Sequence, residues 1–179
     1  MSPSGGRAKP WRRADTNYGN IHEVSGDGTP VLGDIDDNVT APMLPVWKTL
    51  LVGGLNDGGK GYYALDVTDP ATPKAMWEFK WSNTCYDTTN AGTIAATSGA
   101  DCHIGYTFGK PIITKLASGA WVVLVTSGYN NVNAPNKAGD GVGYLYVLNA
   151  VTGKIISKIS TGVGNAATPS GLAQINNYV

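Results

Sequence analysis

Histidine and cysteine are scarce, two of each in 179 residues, which leaves little material for a metal centre or an activated nucleophile. Charged residues are only 15% of the chain, and no apolar run approaches the ~20 residues that a bilayer-spanning helix needs. The apolar spacing of a long amphipathic helix is missing as well. Apolar residues come instead in alternating or continuous runs of about 5–8, bounded by turn residues. A net charge is also lacking, since 13 Lys and Arg balance 13 Asp and Glu. The balance is uneven: Arg7, Lys9, Arg12 and Arg13 precede the first acid, Asp15, and the rest of the chain carries more acids than bases. Such a body matches a polyanion poorly, so no nucleic-acid partner is expected. Residues 1–20 form a basic tail rich in Gly, Ser and Pro that reads as disordered. No apolar segment follows its basic residues in the manner of a signal peptide.

What is abundant is glycine, 24 residues, and proline, 10, interleaved with Asn, Asp, Ser and Thr among 42% hydrophobic residues. That profile belongs to short strands joined by turns. Three segments open alike: residues 29–35 (TPVLGDI), 110–116 (KPIITKL) and 168–175 (TPSGLAQI). The first two are followed by WKTLLVGG at 47–54 and WVVLVTSG at 121–128, each then by a Gly- and Asp-rich loop. Third strands are expected at 61–67 (GYYALDV) and 143–149 (GYLYVLN), and fourth strands at 75–81 (AMWEFKW) and 154–160 (KIISKIS). Four strands in a unit of about 50 residues is the period of a propeller blade. The sequence therefore predicts an all-β partial β-propeller filling residues 21–179. It has two four-stranded antiparallel blades, about 28–81 and 110–161, and the start of a third at 168–179. Closed propellers have about 4–8 blades, so a piece of a longer protein is expected, with self-association as the alternative. Insertions at 36–46 and 82–109 interrupt the period and are expected to project as contact loops.

Cys85 and Cys102 both lie in the polar stretch 82–104, which has no strand pattern. A disulfide closing that loop contributes about 3 kcal/mol by restricting the unfolded chain and implies an oxidising location, periplasm or cell surface. With His103 the two cysteines are the raw material of a zinc site, but the close cysteine spacing of zinc motifs is absent. A surface His103 beside a disulfide is the expectation, and His22 is the other histidine. Substitutions in 82–104 are expected to alter partner contacts without unfolding the blades.

Residues 54–60 (GLNDGGK) match seven positions of a phosphate-binding P-loop, yet Gly61 stands where Ser or Thr should hold magnesium. A strand pattern follows where a helix is required, so a hairpin loop is expected. Asp34, Asp36 and Asn38 offer oxygens at positions 1, 3 and 5 of a calcium loop. Val39 replaces the glycine of position 6 and Pro45 the glutamate of position 12, so the trio is a weak metal candidate. No Ser-His-Asp arrangement or paired carboxylates can be assigned, and no catalytic residue is expected. Trp47, Trp77, Trp81 and Trp121 fall in strands and read as packing residues.

Residues 28–34, 47–70 (WKTLLVGGLNDGGKGYYALDVTDP), 105–111 (GYTFGKP) and 121–130 together resemble the C-terminal propeller of the PilY/PilC-type type IV pilus tip adhesin and biogenesis family. The resemblance covers about 18–179. It implies a seven-bladed modified propeller in a larger exported protein at the outer membrane, cell surface or pilus tip. The implied function is non-catalytic: pilus biogenesis and adhesion through rim loops, with pilus minor subunits or surface receptors as partners rather than a small-molecule substrate. It also implies calcium in the complete domain, bound by a loop that would begin beyond Val179. Two rivals share the weaker blade pattern (residues 63–67 and 146–149): a quinoprotein, or PQQ-type, dehydrogenase propeller and an outer-membrane assembly scaffold propeller.

Overall fold

Apolar runs punctuated by Gly, Asn and Asp become nine strands among the residues that the computed structural model describes, which are 24, 26–38, 44–86, 99–132 and 139–176. The strands are β1 Val31–Asp36, β2 Trp47–Gly54, β3 Gly61–Asp66, β4 Lys74–Trp81, β5 Ala100–Asp101, β6 Ile112–Lys115, β7 Trp121–Thr126, β8 Tyr144–Asn149 and β9 Ile155–Ser160. They form two sheets, ordered β1-β2-β3-β4-β5 and β6-β7-β8-β9. Each is an antiparallel meander of four strands, the expected blade, and the first gains β5 as a parallel addition to the end of β4. The sequence expectation had no strand in 82–104. The two-residue β5 is too short and polar to show a pattern, and it exists because it pairs with Lys80 and Trp81.

Turn chemistry closes the hairpins. The P-loop-like segment is the β2–β3 turn, where Leu55 N donates to Gly61 O at 3.1 Å and Gly58 N to Leu55 O at 2.9 Å. After β3, Asp66 Oδ1 accepts from Thr68 N at 3.0 Å. In the same place after β8, Asn149 Oδ1 accepts from Val151 N at 3.0 Å and Thr152 N at 2.9 Å. Asp and Asn cap their own turns this way, which is why they recur at these repeat positions.

Both blades carry a register shift in their outer pair, between Ala64 and Leu65 and between Val147 and Leu148. This shared irregularity makes Tyr63 the repeat counterpart of Tyr146, and Tyr62 that of Leu145. The strings beginning at Trp47 and Trp121 are not in matching register. Val31 pairs with Val52 and Ile112 with Leu124, so β7 is displaced by two residues from the sequence alignment. A shift of two keeps every side chain on its face.

The core lies between the blades. Ile35, Leu50, Val52, Tyr62, Ala64, Trp77 and Phe79 of the first meet Val123, Val125, Tyr146, Leu148 and Ile155 of the second. Phe79 and Tyr146 make an edge contact at 5.0 Å. The Trp77 Nε1–H crosses to Ala150 O at 2.8 Å, a buried donor satisfied by the other blade. Trp47 departs from the packing expectation. It is 56% exposed and touches Trp121 only edge-on, at 6.3 Å between centroids.

The opening of the third repeat forms no strand among the described residues. It lies along blade two, where Gly128 N donates to Leu172 O at 2.8 Å and Thr126 Oγ1 to Ala173 O at 2.9 Å. A blade's first strand needs its second to form a ladder, and no such strand is present among the described residues. The basic tail, His22, Val39 and residues 87–98 of the insertion lie outside the described residues.

Candidate functional site

The end of the long insertion folds inward instead of projecting. Cys85 and Cys102 are joined in a disulfide, with Cα atoms 4.5 Å apart. Asp101, Cys102 and Ile104 are fully buried, and His103 is 8% exposed. This overturns the expectation of a surface histidine and of a stretch freely substitutable throughout. Residues 99–104 act as a clasp: the backbone of β5 extends blade one, while the Asp101 side chain reaches blade two.

Asp101 is the centre of a dense polar cluster. Its Oδ1 accepts from Tyr86 N at 2.7 Å, and its Oδ2 from Tyr146 Oη at 2.7 Å. The Lys158 ammonium, 4% exposed, sits 2.8 Å from Oδ2. A buried carboxylate and ammonium each lose hydration, and they persist because each finds the other plus further hydrogen-bond partners. Burial alone would raise the Asp101 carboxyl. Hydrogen bonding to His103 and the charge of Lys158 outweigh it and hold the group down at about 2. Tyr146 moves well upward, first through burial and then through the Asp101 charge that its hydroxyl faces. Tyr144 also moves up, through burial and its 2.6 Å hydrogen bond to Asp140 Oδ2.

His103 completes the cluster. Its Nδ1 lies 2.7 Å from Lys158 Nζ and 3.2 Å from Asp101 Oδ1, and its Nε2 lies 3.4 Å from Asp140 Oδ2. One ring nitrogen serves only one of two such neighbours at a time, as acceptor for Lys158 or as donor to Asp101. The Lys158 ammonium also sits 4.1 Å from the Tyr144 ring centroid, a cation–π contact in a nearly dry setting. Cys85, Cys102 and His103 form the cluster of metal-ligand type among the described residues. Because the sulfurs are bonded to each other, no thiolate is available for zinc.

The calcium candidates are engaged by hydrogen-bond partners of their own sheet and turn. Asp34 Oδ1 accepts from Thr49 Oγ1 at 2.8 Å. Asp36 Oδ1 takes the backbone N–H groups of Asn38 and Val46 at 3.0 and 2.9 Å. Asn38 Nδ2 donates to Leu44 O at 2.8 Å, and Asp37 holds the Lys48 ammonium. These oxygens cap a turn and an ion pair, and a lysine beside them opposes a divalent cation. The trio does not fit calcium.

Open surface lies elsewhere. A groove of ≈ 290 Å³ runs beside Val46 and Trp47 and is lined by Asp66, Thr68, Asp69 and Lys74. A second, of ≈ 560 Å³, is lined by Lys60, Lys80, Trp81 and Tyr106. Both lie at strand ends, and sequence reasoning missed both. The signal for the first was a tryptophan bordering the 36–46 insertion.

A family model described as the PilY1 beta-propeller domain matches residues 12–176. The chain is 34% identical over 155 residues to the type IV pilus biogenesis factor PilY1 of Pseudomonas aeruginosa strain PAK, covering 87% of this chain and 11% of that protein. A PilY1 homolog of Xylella fastidiosa is 35% identical over 146 residues, covering 80% of this chain and 8% of that protein. The crystal structure of the Pseudomonas aeruginosa PilY1 C-terminal domain superimposes with a TM-score of 0.55 and 28% identity, over 88% of this chain and 27% of that one. The chain thus spans about a tenth of the length of the curated relatives it matches.

Proposed function

This chain belongs to the PilY1 β-propeller family, and on that premise we propose that it is a non-catalytic part of a type IV pilus biogenesis and adhesion protein, working by protein–protein or surface contact through its rim. The observation that carries the reading is where the polar and apolar groups are spent. The polar constellation of Asp101, His103 and Lys158 is buried between blades and pairs internally, whereas large apolar side chains such as Leu44, Val46 and Trp47 are exposed at a strand end. Exposed aromatic and aliphatic anchors within a polar surround are the make-up of a contact surface.

The partners in this reading are pilus minor subunits or surface receptors, and the location is exported, at the cell surface or pilus tip. Calcium control of the complete domain belongs to the same proposal. Because Asp34, Asp36 and Asn38 do not fit the ion, calorimetric calcium titration of a longer chain carrying further blades is its test. For the contact role, the test is Trp47→Ala in the full-length protein. The expected result is weakened capture of purified pilus minor subunits and reduced surface piliation, with the melting temperature of the 179-residue chain unchanged. Wild-type capture and piliation across Trp47→Ala and Val46→Asp would overturn the contact role of this rim.

A further inference from the structure

The two sulfurs of the Cys85–Cys102 bridge live in different surroundings. Cys85 is partly exposed, whereas Cys102 is fully buried. Cys102 Sγ lies 3.1 Å from His103 Nδ1, and that nitrogen is 2.7 Å from the Lys158 ammonium. The adjacent acid, Asp101, is already compensated by Lys158 at 2.8 Å. In thiol–disulfide exchange an external thiolate attacks one sulfur while the other departs as a thiolate. Access selects the sulfur attacked, and departure is faster where the leaving charge is stabilised. Access and charge point the same way here.

We propose that Cys85 is a thiol–disulfide exchange site, with an external dithiol attacking Cys85 Sγ and Cys102 leaving as a thiolate beside the His103 ring, whose two nitrogens lie 3.1 and 3.7 Å from Cys102 Sγ. In the first step the dithiol's thiolate forms a new S–S bond to Cys85 as the Cys85–Cys102 bond breaks, and the bonding pair goes to Cys102 Sγ. In the second, the other thiol of the dithiol closes its own disulfide and releases Cys85. Two electrons and two protons pass from the dithiol, which is oxidised, to the cysteine pair, which is reduced. The reverse sequence forms the bridge: Cys85 carries the mixed disulfide and the Cys102 thiolate resolves it. The partner class is a dithiol–disulfide oxidoreductase. The exchange opens or shuts the covalent hold on the clasp between the blades.

The test is exchange of the folded 179-residue chain in glutathione buffer, quenched with acid and N-ethylmaleimide and mapped by peptide mass spectrometry. In the singly exchanged species, glutathione is expected on Cys85 and maleimide on Cys102, by about tenfold or more over the opposite pattern. Equal labelling, or glutathione mainly on Cys102, overturns the proposal. This site preference in the unsubstituted chain decides the polarity whatever a substitution does to folding. His103→Gln tests the leaving-group support. Exchange about tenfold slower is expected, while a merely structural loosening of the clasp makes it faster. Unchanged or faster exchange in a variant that keeps the native circular dichroism rules out the role of His103.

Discussion

A single carboxylate, Asp101, ties a disulfide loop on blade one to a tyrosine and a lysine of blade two. Its folded value of about 2 lies below the ordinary 3.8. Between those values the unfolded chain binds more protons than the folded one, so stability falls as pH drops. The contribution, about 2 kcal/mol, is fully present above pH 4 and lost on descending from 4 to 2. Urea titrations across that range should show the loss, and Asp101→Asn should shrink it, leaving the share of Asp66 and Asp69, which Thr68 and Thr72 also hold low. At neutral pH the same substitution strands the Lys158 ammonium and should cost about 3–5 kcal/mol. Tyrosines run the opposite way. Burial pushes the Tyr62 phenol up to about 12 against the hydrogen bonds it shares with Thr126. Its stabilisation is full below pH 10 and lost as pH climbs toward 12. Absorbance at 295 nm should show Tyr62, Tyr144 and Tyr146 ionising only as the chain unfolds. None of this was legible from sequence, because His103 next to cysteines in a polar stretch looks like surface.

At the scale of elements, the disulfide holds a clasp rather than an ornamental loop. Replacing both Cys85 and Cys102 by Ser should lower stability by about 3 kcal/mol, seen as a shifted denaturant midpoint. Glycines set the blade junction. Gly128 has φ +71°, and a Cβ there would stand 2.0 Å from the Tyr106 carbonyl oxygen. Gly128→Ala should therefore cost about 2–4 kcal/mol, measurable by the same titration. The strands and turns themselves were readable from apolar runs and Asx residues, since local chemistry decides both. The two-residue offset between the Trp47 and Trp121 strings was not readable, because register depends on the partner strand.

At the scale of the molecule, the repeat shows what the faces are for. Tyr62 pairs with Phe79, and its counterpart Leu145 pairs with Ile159. Phe79 is fully buried against blade two, whereas Ile159 is 50% exposed. One face of the repeat is thus covered in blade one and open in blade two. Tyr146 is buried and meets the clasp, while its counterpart Tyr63 is only partly buried on the opposite flank. Apolar sheet faces left open favour association. Ile159→Lys should reduce self-association in sedimentation while changing stability by less than about 0.5 kcal/mol.

By itself the sequence determined the two four-stranded units, their turns, the cysteine pairing and the family. Each of these rests on local pattern, or on a repeat of local pattern: Asp66 and Asn149 cap their turns with their own neighbours. Only the tertiary structure decided that residues 99–104 turn inward, that Lys158 and Tyr146 meet Asp101, and that Asp34 and Asp36 accept from Thr49, Asn38 and Val46. The first two outcomes depend on which distant groups lie across a blade interface. A buried charge is stable only where such partners converge, and no spacing along the chain encodes that convergence.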